Sequence, residues 1–169
     1  MNDNTKNMQG FTLIELLAVI VVLAIVILAA ATAVIPRMNE ARTQVFALEA
    51  NHAIDAAKTY FMNNSLTGSA GSVTLPVKEG EPKCVTITDL IKNGDFDADI
   101  DIYKGYVLVQ KVKENYLYKV TMSNGKLMVN GAGVGKEDTN KDYNINITSS
   151  DVQNDNGNVS AACPNPVVW

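Results

Sequence analysis

Residues 10–36 read GFTLIELLAVIVVLAIVILAAATAVIP, and this stretch decides the architecture. From Phe11 to Ile35 there are 25 residues, and only Thr12, Glu15 and Thr32 carry polar side chains. About 20 apolar residues in a helix cross the hydrocarbon of a bilayer, so the segment is long enough to span with some tilt. Glu15 is the anomaly. A charge at mid-membrane costs about 2.5–3.5 kcal/mol on insertion scales, which makes an intramembrane acid a functional candidate. Glu15 lies one turn from the apolar start, so it sits shallower and costs less. It still calls for a positive partner, and the span contains none.

The ten residues ahead, MNDNTKNMQG, are polar with one Lys and one Asp. A secretory signal peptide would place its apolar run before a small-residue cleavage site. Here the apolar run begins directly after Gly10. A cut between Gly10 and Phe11 would leave the apolar helix on the mature chain and create an α-amino group on Phe11. That amine is the cation Glu15 lacks, one turn away on the same helix or on a neighbour.

Residues 6–15, with Gly10-Phe11-Thr12-Leu13-Ile14-Glu15 at their centre, resemble the prepilin-type cleavage and methylation motif of type IV pilins and pseudopilins. The resemblance implies that a prepilin peptidase cuts after Gly10 and N-methylates Phe11. It further implies that Glu15 pairs with the Phe11 amine of an adjacent subunit during filament assembly. It covers roughly residues 10–39 closely and the remainder only in architecture. One departure is the helix-kinking Pro, which in the family falls about one turn earlier than Pro36. An ordinary signal anchor with an incidental Glu is the competing reading. The short neutral leader, the Gly at the junction and the placement of the Glu stand against it.

The 169 residues make one soluble domain plus an anchor. Fourteen Lys and Arg against 18 Asp and Glu give a net charge of −4, so charge alone points to no nucleic-acid footprint. Cys84 and Cys163 fall on the extracytoplasmic side that the resemblance implies, where a disulfide persists. A bridge is the expectation and free thiols the alternative. A Cys84–Cys163 bridge would pin the tail to the loop ahead of the sheet. The family's commoner bridge brackets the segment after it.

Residues 37–63, RMNEARTQVFALEANHAIDAAKTYFMN, contain neither Gly nor Pro and carry Phe46, Ala50, Ile54, Ala57 and Phe61 at helical spacing. One helix, interrupted or bent at Pro36, is therefore expected from Phe11 to about Asn63, roughly 80 Å at 1.5 Å per residue. Its first half is apolar all round and its second half amphipathic. Arg37 and Arg42 run against the positive-inside preference, so orientation rests on the resemblance.

A Ser-, Thr- and Gly-containing loop is expected over residues 64–82. A short helix is expected in residues 86–94, with Thr88 as N-cap and Gly94 as its stop. Residues 106–112, 116–122 and 126–129 read as strands, with Ser123-Asn124-Gly125 as a hairpin turn and residues 143–148 as an edge strand. The fold class is α+β: a long N-terminal helix packed against a small antiparallel sheet, pilin-like. The domain plan is a removed leader (1–10), a transmembrane or filament-core half-helix (11–35), an amphipathic half-helix (36–63) and a globular head (64–169).

Other chemistry is thin. Asp95, Asp97, Asp99 and Asp101 alternate, but Ile100 and Tyr106 stand where a calcium loop needs Gly and Glu. Asp138, Asn140 and Asp142 fail the same template. Because some pseudopilins hold calcium in the head, these three are the weak metal candidates, against a solvated acidic face. No other cofactor is expected. His52 has no nucleophile motif beside it, and no phosphate loop occurs, so no enzyme is expected. Tyr and Lys alternate at Lys111, Lys113, Tyr116, Tyr118 and Lys119. Such a face could touch DNA in a competence filament but is more simply an exposed sheet. Glycosylation-type sequons begin at Asn63, Asn146 and Asn158.

The sequence therefore leads to a structural subunit, major or minor, of a type IV pilus. It is expected in the cytoplasmic membrane as a single-pass precursor and in a cell-surface filament afterwards. Other pilin subunits, the prepilin peptidase and the pilus assembly machinery are its expected partners. A pseudopilin of a type II secretion or DNA-uptake machine is the close alternative, and a membrane-anchored adhesion module that never polymerises is the more distant one.

Overall fold

The computed structural model describes residues 12–68, 73–133 and 146–169. The chain divides into two units, Met1–Glu40 and Ala41–Trp169. The first unit contributes the opening part of α1 (Leu13–Thr67). Many of its residues are β-branched, which mildly disfavours a helix in water. In hydrocarbon the balance changes, because a helix pairs its backbone groups within the segment. The large side chains from Leu13 to Ile35 are exposed. This part of α1 is long and apolar enough to cross a membrane. The helix runs through Pro36, where expectation left open an interruption or a bend.

In the second unit α1 lies against a five-stranded antiparallel meander, ordered β1 (Lys83–Thr86), β2 (Lys104–Val112), β3 (Asn115–Ser123), β4 (Leu127–Ala132) and β5 (Val152–Asn154). A short helix, α2 (Ile87–Lys92), joins β1 to β2. The expected stripe is the helix side of the core: Phe46, Ala50, Ile54, Ala57 and Phe61 are each at most 1% exposed. Ala47, Ala53 and Ala56 widen it. Directly opposed strand residues face the same side. Hence Val85, Val107 and Val120, and next along Val109 and Tyr118, meet the helix.

The alternate residues form the outer face, where Cys84, Leu108 and Lys119 align across three strands. Leu108, Leu117, Met128 and Val159 are buried without joining the helix-side cluster. The C-terminal segment covers this face. Cys163 is bonded to Cys84, and the Lys119 ammonium sits 6.0 Å from the centre of the Trp169 ring. Among the described residues, 159–169 make no hydrogen bond to the sheet, and the hydroxyl of Ser160 bonds to Ala162 alone. The disulfide is therefore the main tether of the tail. It closes a span of 79 residues, and loop-closure entropy on that scale corresponds to about 4 kcal/mol.

Several boundaries differ from expectation. Thr86, not Thr88, caps α2: its extended backbone turns the chain, and its Oγ1 accepts the Asp89 N–H at 3.0 Å. Thr88 lies inside the helix. Cys84 belongs to β1, the first strand of the sheet, rather than to a loop ahead of it. α1 extends to Thr67, shortening the following loop. Of the expected edge strand, residues 143–145 lie outside the described residues, and 146–148 are not strand. β5 takes the edge position instead.

Two polar clamps fix the C-terminal half. Asn51 donates to the carbonyls of Ala47 and Ile147 at 2.9 and 2.8 Å and accepts the Ile147 N–H at 2.9 Å. A helix side chain thus satisfies both backbone groups of Ile147. Ser123, fully buried, donates to Asp155 Oδ2 at 2.7 Å and accepts the Gly125 N–H. Gly105 has no substitute at its position. Its φ is +138°, and a Cβ there would meet the Thr121 carbonyl oxygen at 2.1 Å.

Candidate functional site

The acid singled out in the sequence stands at N3 of α1. Thr12 precedes the helix, and its carbonyl accepts from the N–H groups of Glu15 and Leu16. The Glu15 carboxylate reaches back: its Oε2 accepts the Thr12 N–H and the Thr12 hydroxyl, both at 2.9 Å. The Glu15 N–H donates in turn to Thr12 Oγ1 at 3.4 Å. This reciprocal arrangement is a capping box, which occupies helix N-terminal donors that nothing else in the helix can pair. The first turn is also the positive end of the helix dipole, where a carboxylate is favoured.

Two consequences follow for the chemistry. An acid with two charge-assisted donors is less costly to hold in apolar surroundings than a bare one. Its rotamer is also fixed, with Oε2 committed to Thr12 while no described residue offers a donor to Oε1. The carboxylate is therefore an oriented acceptor at the tip of an apolar rod. Thr12 is the residue that reading charges alone overlooked. Its signal was present as Thr-x-x-Glu directly before an apolar run.

Gly10 and Phe11, the expected cleavage and methylation positions, lie outside the described residues. So do Asp138, Asn140 and Asp142, the weak calcium candidates. Among the described residues, no group of three or more His, Cys, Asp or Glu side chains could hold a metal ion. In the alternating acidic run, Asp99 accepts the Asp101 N–H at 3.0 Å, and burial pushes the Asp95 carboxyl up. His52 is exposed on α1.

The head also has an open groove of about 330 Å³ between residues 74–77, Ser65, Lys111 and Tyr116. Its one ammonium, Lys111, donates to the Val77 carbonyl at 3.3 Å, and the Ser65 hydroxyl accepts the Leu75 N–H. These polar groups hold the strap of residues 74–77 in place rather than pointing at a vacancy. Tyr103 and Tyr118 are both pushed up to about 12, each chiefly by burial. Tyr103 also hydrogen-bonds the Glu49 carboxylate. These groups belong to packing.

The most informative geometry is therefore at the start of α1. Residues 5–31 match the model of the prokaryotic N-terminal methylation motif. No curated protein and no solved structure matches the chain. The matched stretch contains the capping box and most of the exposed apolar helix, and the chain thus carries the prepilin-type signal of type IV pilins and pseudopilins.

Proposed function

We propose that this chain is a structural subunit of a type IV pilus, cut after Gly10, methylated on Phe11 and polymerised through the apolar half of α1. The observation that carries the reading is the methylation motif over residues 5–31, in register with an exposed apolar helix whose first turn holds an oriented acid. Before assembly, lipid covers the side chains from Leu13 to Ile35. In the filament, helices of other subunits take the place of lipid. The freed Phe11 amine of a neighbour meets the unoccupied side of the Glu15 carboxylate and sets register, because a buried acid without a cation is strongly unfavourable. The role is structural rather than catalytic. The partners are other subunits, the prepilin peptidase and the assembly machinery, and the location moves from cytoplasmic membrane to cell-surface filament.

Mass spectrometry of the mature N-terminus tests the first step. A chain beginning at methylated Phe11 is expected, and a functional surface form that begins at Met1 overturns the proposal. Glu15→Ala is expected to leave cleavage intact and abolish filaments. Undiminished filaments would remove the pairing role. Pseudopilins share the same signal, so the amount of protein released by shearing cells separates a long surface pilus from a short periplasmic or envelope filament.

A further inference from the structure

Four Asn-Gly pairs occur in the chain, at Asn93, Asn124, Asn130 and Asn156. In such pairs the glycine nitrogen can attack the asparagine side chain, because no Cβ hinders its approach. The four differ in what holds the reacting atoms. Gly94 donates its N–H to the Ile91 carbonyl, and the Asn93 amide is engaged with the Asp89 carbonyl at the end of α2. Gly125 donates to the buried Ser123 hydroxyl, while Asn124 Oδ1 accepts two backbone N–H groups that shape the hairpin. Gly131 lies in β4 and donates to Thr121 Oγ1.

At the fourth pair the partner is a carboxylate. Gly157 donates its N–H to Asp155 Oδ1 at 2.8 Å, and Asn156 Oδ1 accepts the Asn158 N–H at 3.1 Å. Asn156, Gly157 and Asn158 are all exposed, and an added Cβ on Gly157 would meet nothing within 4 Å. We infer that Asn156 is a site of spontaneous, structure-assisted conversion to aspartate and isoaspartate, with Asp155 as proton acceptor and the Asn158 N–H as stabiliser of the developing oxyanion.

In the first step the Gly157 nitrogen bonds to Asn156 Cγ, its proton passing to Asp155. The Cγ–Nδ2 bond then breaks and that proton leaves with Nδ2 as ammonia, giving a cyclic imide. Water adds to either imide carbonyl and opens the ring to aspartate or isoaspartate. Asp155 contributes by position rather than basicity: the Ser123 hydroxyl and the Gly157 N–H hold its carboxyl below the usual range, which weakens it as a base, but its Oδ1 already lies 2.8 Å from the nitrogen that must lose the proton. The product adds one negative charge to the loop between β5 and the tail that Cys163 anchors. Isoaspartate also lengthens the backbone there by one carbon.

The test uses the full chain in detergent micelles, disulfide intact, incubated for days in mildly alkaline buffer. Peptide mapping by mass spectrometry follows all four pairs, with enzymatic methyl labelling to detect isoaspartate. A positioned base contributes about 10²-fold or more in enzymes. Without an evolved pocket, a roughly tenfold excess at Asn156 over the other three is expected. The excess should vanish in the urea-unfolded chain and in Asp155→Asn, and survive in Asp155→Glu. Equal rates in the folded protein overturn the inference. So does an excess that persists after unfolding, because local sequence alone would then account for it.

Discussion

Between Leu13 and Ile35 the large apolar side chains occupy every side of α1 and stand exposed, whereas between Phe46 and Phe61 all but Leu48 and the half-buried Tyr60 recur along one face and are buried. Composition separates the two: residues 13–35 carry only Glu15 and Thr32 as polar side chains, whereas residues 46–61 carry Glu49, Asn51, His52, Asp55, Lys58 and Thr59. Distribution around the axis says where the apolar ones go. A stripe finds its cover inside the same chain, here on Val107, Val109, Val120 and Met122 of the sheet. A helix that is apolar on all sides cannot be covered by one small head, and its cover must come from lipid or from other helices. The first half thus depends on its surroundings for cover and the second does not.

This contrast can be broken most directly at Phe61. Phe61→Ala empties a fully buried site, and large-to-small changes of this kind cost about 3–5 kcal/mol. Denaturant melts of the head in micelles should show that loss. Leu23→Ala in the first half should leave the same melt unchanged. A head that responds equally to both would erase the distinction between the two halves of α1.

Next in size is the bridge. Cys84→Ser with Cys163→Ser should lower stability by about 4 kcal/mol at most and by less if the tail holds residual structure. Hydrogen exchange should locate the effect on the outer face around Leu108 and Met128, with little change at Phe46 or Ile54. Asn51→Ala should cost about 1–3 kcal/mol, because both backbone groups of Ile147 lose their partner in a partly buried place. A change below a few tenths would make the clamp ornamental.

The smallest effects come from titration. Burial keeps Tyr118 neutral in the folded head, so the stability it confers is present below pH 10 and is lost as pH rises from 10 to about 12. Tyr118→Phe should flatten that limb of the profile. Asp155 behaves in the opposite sense. Its contribution is present above the ordinary Asp range near 3.8 and fades as pH falls below it. Glycine or alanine scanning of residues 13–35 should alter neither limb.

What was readable in the sequence follows physical strength of signal. The apolar run and the stripe were readable because periodicity accumulates over many residues. The three central strands were readable from alternation and the Asn124-Gly125 turn. β1 was not, since Lys-Cys-Val-Thr is four residues long and runs straight into α2, and pairing with β2 is what makes it a strand. β5 is shorter still, only Val-Gln-Asn, held by β4 and by Asp155 donating its N–H to the Lys126 carbonyl. Thr86 was passed over as a cap because Thr88 offers the same side chain. The spacing decides between them: Thr86 has Asp89 three residues on, whose N–H and carboxylate both bond the Thr86 hydroxyl, whereas Thr88 has Ile91. The capping box at Thr12 was readable as a pattern. Charge alone points to a cation for Glu15, whereas the hydroxyl of Thr12 already lies beside it.

Pro36 carries a consequence of its own. A proline has no hydrogen to give, so the Thr32 carbonyl four residues earlier is deprived of its normal helical donor. The Thr32 hydroxyl turns to the Ala29 carbonyl at 2.9 Å and does not compensate. Such an oxygen is tolerated in apolar surroundings only where water, a neighbouring helix or another polar group reaches it. Whatever covers the apolar half of α1 must therefore leave an opening, or bring a donor, beside the Thr32 carbonyl.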